Sequence, residues 1–224
     1  MAQTQTGKST VFPVLILYGL LFYAAWAMME IVLDPLLKAA VSNEVLYAFV
    51  KDGILKNAVW TLPAVLLVRR FDGEVLVRLR ALFSSKVNWL HYLPVFAFLT
   101  VWALASPLLS GGLQINEDFG LPSIVVLLFV GITEEMVFRG WLLNLTAAKW
   151  NTWFAVGVNA VLFLLIHFPC WIAEGRFAAI MSSFSFVSVM ILSVIFSVSF
   201  LKSKSILVPV ALHMLWDLLG FMFF

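Results

Sequence analysis

Residues 121–145 read LPSIVVLLFVGITEEMVFRGWLLNL. The run is long enough to cross a bilayer, which takes about 20 apolar residues as a helix. It nevertheless carries Glu134, Glu135 and Arg139 in its interior. Ionisable groups at membrane depth cost a few kcal/mol each on insertion scales, so they mark function by default. His167, His213 and Asp217 lie in later apolar runs of the same kind. These six residues hold most of the chemistry that the sequence offers.

The rest of the chain fixes the setting. Of 224 residues, 63% are hydrophobic and 12% are charged, and the mean hydropathy is +1.04. A water-soluble domain does not carry so few charges, so the bilayer is the solvent. The expected fold is all-α: a polytopic membrane helical bundle of about seven transmembrane helices, forming one integral-membrane domain over 1–224. The expected spans are 10–33, 46–68, 89–109, 121–145, 153–169, 180–201 and 205–224. The first is too long to be a signal-peptide core. In the second, Lys51, Asp52 and Lys56 are expected in the headgroup layer, with the lysines snorkelling. The composition gives no basic stripe for nucleic acid. The single Cys170 has no partner for an intramolecular disulfide and reads as an inert small residue near a helix end.

Basic residues orient such a bundle. With the N-terminus in the cytoplasm, the inner side receives Lys8, Arg69, Arg70, Arg78, Arg80, Lys86, Lys149, Lys202 and Lys204. The outer side receives Lys38, Lys51, Lys56 and Arg176. Between the second and third spans, Val75, Leu76, Leu79, Leu82 and Phe83 are spaced as an amphipathic helix on the inner leaflet. Asp72 is its expected N-cap, and Glu74 precedes Arg78 by four.

Helical spacing sorts the ionisable groups. Glu135 and Arg139 are i, i+4 and read as an orienting ion pair. Glu134 points about 100° away and is left facing a cavity, where a desolvated carboxylate suits a general base. Asn159, Phe163 and His167 form one stripe, with Asn159 as helix–helix glue. Pro169 places His167 in the last turn of its helix. His213 and Asp217 are again i, i+4, and Pro209 is expected to kink their helix and free a carbonyl. By spacing alone, His213 and Asp217 suit metal ligation, proton relay or ligand hydrogen bonding equally.

Taken together, Glu134-Glu135-x-x-x-Arg139, Phe163-x-x-x-His167 and His213-x-x-x-Asp217 resemble one family. It is the CAAX-protease and bacteriocin-processing (CPBP, or Abi) family of intramembrane proteases, with the type II CAAX prenyl endopeptidase as its best-known member. The resemblance covers about residues 121–224, the expected catalytic core, and includes Phe138-Arg139-Gly140 and Pro209. It implies an intramembrane endopeptidase acting on a membrane-embedded or lipidated peptide. Glu134 and His167 would activate a water, Glu135 and Arg139 would support Glu134, and His213 with residue 217 would stabilise the oxyanion. The family usually has Asn at that last position. An ionised Asp217 cannot donate a hydrogen bond, so here it is protonated, orients His213 or helps bind a metal. The donors Glu134, His167 and His213 are also an acceptable zinc set, although the resemblance favours a metal-free glutamate mechanism.

Two other functions compete: a non-proteolytic membrane scaffold or immunity protein of the same fold, and a proton relay or transporter. The absence of an inverted repeat speaks against the transporter. The expected partners are a membrane peptide or protein, lipidated or not, and the lipid bilayer. The short loops point to a prokaryotic plasma membrane.

Overall fold

A computed structural model describes residues 6–223, with side-chain environments from Val11 onward. Phe224 at the end of the seventh expected span, and the side chain of Lys8, lie outside the described residues. Among the described residues the chain is helical without strands. It is an all-α membrane protein. Five helical stretches are long and apolar enough to cross a bilayer: Val11–Ala40, Trp89–Leu109, Leu121–Lys149, Thr152–Ala173 and Phe186–Ser203. The stretch Leu207–Phe223 is apolar but shorter.

The first rod runs from α1 (Thr6–Met28) through a π-helical segment (Met29–Leu33) into α2 (Asp34–Ala40). The second starts at α3 (Glu44–Ala48), passes through a longer π segment (Phe49–Thr61) and ends in α4 (Leu62–Arg70). Asn43 caps it, its Oδ1 accepting the Leu46 N–H at 2.9 Å. Both π segments run up to a proline, Pro35 and Pro63, each second in the α-helix that follows. A proline inside a rod removes one N–H and crowds the carbonyl four residues back. Widening the ladder to i→i+5 relieves that crowding.

After α5 (Leu79–Ser84), a 3-10 turn (Trp89–Tyr92) leads into α6 (Leu93–Leu109). The fourth rod is α7 (Leu121–Glu135), a third π segment (Met136–Leu143) and α8 (Asn144–Lys149). No proline follows this π segment. It begins directly after the paired glutamates, and isolated π turns are frequent at functional sites. The chain closes with α9 (Thr152–Leu165), α10 (His167–Ala173), α11 (Phe177–Ser182), α12 (Phe186–Ser203) and α13 (Leu207–Phe223).

The fourth rod is the axis of the bundle. Its segment 133–145 is buried almost throughout, while apolar side chains such as Leu90, Val101 and Leu109 cover the outside. That inversion is what a lipid solvent selects. An aromatic cluster of Phe22, Trp26, Trp60 and Phe138 ties the first, second and fourth rods by edge-to-face contacts. α7 packs on the second π segment and on α13, and α12 packs on α9.

Several local expectations are corrected. The amphipathic helix starts only at Leu79. Asn144 holds Val77 on both sides, accepting its N–H at 2.8 Å and donating to its carbonyl at 2.7 Å, and this strand-like grip excludes a helix over 75–78. Leu82 is fully buried rather than lying on a leaflet. The N-cap of α5 is Arg78 rather than Asp72, which reaches forward to accept the Leu79 N–H at 3.0 Å, and Glu74 pairs with Lys149 rather than Arg78. Pro209 sits in the first turn of α13, where no N–H is needed, so it does not break that helix. Pro169 likewise falls in the first turn of α10: the helix breaks earlier, at Ile166, and His167 opens a new helix rather than ending one.

Candidate active site

The last turn of α7 presents Glu134 and Glu135 side by side and buried. Their environments separate them as helical geometry requires. Glu135 takes Arg139 at 2.9 Å through Oε1, and both side chains are fully buried. Arg139 also donates to the carbonyl and hydroxyl of Ser193 on α12, at 2.9 and 2.8 Å. Its guanidinium lies 4.6 Å from the centre of the Phe163 ring. A buried charge pair is tolerable when its remaining hydrogen-bonding capacity is also used; Ser193 takes up Arg139 Nη2, while Arg139 Nε and Glu135 Oε2 are buried without a hydrogen-bond partner among the described residues.

α13 brings His213 to both glutamates. Its Nδ1 lies 2.9 Å from Glu135 Oε1. Its Nε2 faces Asp217 Oδ2 at 3.4 Å and Glu134 Oε2 at 3.9 Å. The ring stacks on Phe196 at 5.0 Å. Both ring nitrogens therefore point at carboxylates, which only accept hydrogen bonds when ionised. An imidazolium with two N–H donors fits that surround.

His167 reaches the same site from the break between α9 and α10. Its Nδ1 lies 2.9 Å from the Phe163 carbonyl. A carbonyl can only accept, so Nδ1 carries the proton and the lone pair of a neutral ring sits on Nε2. Phe163 stands between the histidines, its ring 5.3 Å from His167 and 5.9 Å from His213. Glu134 lies within electrostatic reach of both. The break is held by the first rod: Trp26 Nε1 donates to the Ile166 carbonyl at 2.8 Å, and the Tyr23 hydroxyl to the Leu162 carbonyl at 2.6 Å. Asn159 ties helices together as expected, donating to the Phe138 carbonyl at 2.8 Å.

The structure thus gathers buried Glu134, Glu135, Arg139 and His213 with half-buried His167 and Asp217 into one cluster. One member was not foreseen. Lys56 lies inside the bundle rather than in the headgroup layer, with its Nζ 2.8 Å from Glu134 Oε1, so Glu134 is not a lone carboxylate. The available sequence signal was weak: Lys56 shares a helical stripe with Asp52 and Trp60, spaced by four. Lys51 is also drawn inward, to Glu30 at 3.2 Å and Asp34 at 2.9 Å. Tyr47 bonds to the same Asp34. For a cation, the donor set is poorly arranged. Both nitrogens of His213 face carboxylates, and an ammonium occupies one oxygen of Glu134. Among the described residues no three His, Cys, Asp or Glu side chains converge as metal ligands.

Comparison with known proteins finds a likeness in the C-terminal part of the chain. Residues 116–219 match the family model described as type II CAAX prenyl endopeptidase Rce1-like. No curated protein and no solved structure matches. The matched stretch holds all six clustered motif residues and leaves out Lys56. The match agrees with the CPBP resemblance.

Proposed function

We propose that this chain, whose residues 116–219 match the Rce1-like family, is an intramembrane endopeptidase that hydrolyses a peptide bond with water activated by Glu134 and His167. The observation that carries the reading is the approach of Glu134 Oε2 to His213 Nε2, 3.9 Å, inside an apolar bundle. A carboxylate oxygen and an imidazole nitrogen held this close, yet too far apart to hydrogen-bond each other, can reach adjacent atoms of one substrate group from the same side.

In this reading a water sits between Glu134 Oε2 and Nε2 of His167. Glu134 takes one proton as the water oxygen attacks the scissile carbonyl carbon. The carbonyl π pair moves onto oxygen, and the resulting oxyanion accepts a hydrogen bond from the Nε2–H of His213. Collapse of the tetrahedral intermediate breaks the C–N bond, and Glu134 returns its proton to the leaving amine. Asp217 orients His213 from below rather than donating to the oxyanion, since its carboxylate faces the same nitrogen at 3.4 Å. Glu135, pinned by Arg139, holds the other ring nitrogen, Nδ1.

The reading is a glutamate mechanism without a metal. The ammonium of Lys56 on Glu134 and the two carboxylate-facing nitrogens of His213 support it. The substrate is a membrane peptide, lipidated or not. The N-terminus is placed in the cytoplasm; withdrawal of Lys51 and Lys56 into the bundle leaves only Lys38 and Arg176 on the outer side, which favours that orientation.

The test compares wild type with Glu134→Gln in membranes, profiling the peptides released from membrane proteins. A general base contributes about 10²- to 10⁴-fold, so a wild-type product should drop by that factor while the variant stays folded. Identical profiles would remove the reading. A chelator added to the wild-type assay should leave cleavage unchanged.

A further inference from the structure

We propose that Lys56 is a positioning residue for Glu134: its ammonium holds Oε1 and leaves Oε2 as the atom that takes the proton of the attacking water. The inference rests on the protease reading above and deepens it.

A carboxylate has two equivalent oxygens and turns about its last bond. A general base needs one of them held at hydrogen-bond distance from the water. The 2.8 Å contact from Lys56 removes the equivalence by fixing Oε1. The other oxygen then faces His213.

Lys56 is itself held in place. It is 4% exposed, and its ammonium lies 4.6 Å from the Trp60 ring centre and 5.3 Å from that of Trp26. Two indole faces over a desolvated ammonium are attractive and leave it little room to swing. Trp26 does double duty, because its N–H also bonds the Ile166 carbonyl next to His167. One indole therefore sets both the lysine that orients the base and the helix break that presents the histidine.

The inward aim follows from the wide ladder of residues 49–61. With i→i+5 bonds, residues four and five apart share a face more closely than in an α-helix. Asp52, Lys56 and Trp60 are spaced by four, and Lys51 precedes Lys56 by five. Asp52 is buried, and its carboxylate makes no hydrogen bond among the described residues, yet it interacts with both lysines and with Glu134. The acids on this face balance the lysines without displacing Lys56 from Glu134. The cation thus comes from the half of the chain that the family match does not cover.

The test uses the full-length protein in proteoliposomes, with a membrane peptide that wild type cleaves and Glu134→Gln does not. Lys56→Met keeps the side-chain length and removes the charge. Its kcat should fall about 10- to 100-fold, the scale of misplacing a catalytic group, with KM unchanged. Lys56→Arg should recover part of that loss with the same KM. Wild-type or faster turnover in Lys56→Met, or a rise in KM alone, would overturn the proposal. Should Lys56→Met fail to fold, Lys56→Arg decides, because it keeps the charge but shifts the donor. A lower kcat at constant KM then supports the inference, and wild-type kcat overturns it. If wild type cleaves nothing that Glu134→Gln spares, the protease reading itself fails, an outcome distinct from a Lys56 variant that cleaves normally.

Discussion

His213 Nδ1 and Arg139 Nη1 each lie 2.9 Å from a single atom, Oε1 of Glu135. One carboxylate oxygen therefore joins α13 to the fourth rod and sets the orientation of the imidazole. Arg139→Met would leave Glu135 buried with its main counter-charge gone. Losing one partner of a buried pair costs about 3–5 kcal/mol. The thermal unfolding midpoint in detergent should fall clearly, and a midpoint equal to wild type would show that the pair carries no net stability.

Asp217→Asn is expected to be mild. The amide oxygen can still face His213 Nε2, and the amide N–H₂ adds a donor that an ionised Asp lacks. Cleavage should stay within about tenfold of wild type, against a larger loss for Asp217→Leu, which removes the hydrogen-bonding group. Equal activity in all three proteins would show that residue 217 takes no part.

Gly131 sets the spacing between α7 and α13. A Cβ there would lie 2.7 Å from Met214 Cγ and 3.5 Å from the Val210 carbonyl oxygen. Small residues let membrane helices approach this closely. Gly131→Ala should cost about 1–3 kcal/mol by overpacking and lower cleavage by moving His213 away from the glutamates. Adding Met214→Ala makes room, so the double variant should cleave faster than Gly131→Ala. No recovery would place the damage elsewhere.

Asn144 makes a structural prediction away from the chemistry. Its side chain takes the N–H and carbonyl of Val77 and donates to the Gly140 carbonyl at 3.0 Å. Asn144→Leu leaves the buried Val77 groups unsatisfied, each worth about 1–3 kcal/mol. Hydrogen exchange at Val77 should accelerate well before that of the fourth rod. Unchanged protection would mean that the 72–78 segment is held by packing alone.

The local pairs were legible because helical periodicity is a local property. Glu135 with Arg139 and His213 with Asp217 meet simply by being four apart on a helix. Asp72 did not become the N-cap, because the helix began later than its apolar spacing indicated. There the competing force was Asn144, 67 residues away from Val77, and no local pattern announces such a grip.

By itself, the sequence determined that the chain is an all-α membrane protein and where its apolar runs carry charge, because the cost of charge in lipid leaves few places for it. It also split the adjacent glutamates, since neighbours on a helix face different ways. The tertiary structure alone decided who meets them. Lys56 reaches Glu134, and His213 reaches Glu135, each across 78 residues of chain. Those contacts depend on how rods pack and on where the helical ladder widens. Both are settled by the whole bundle minimising buried charge and void, not by any single segment.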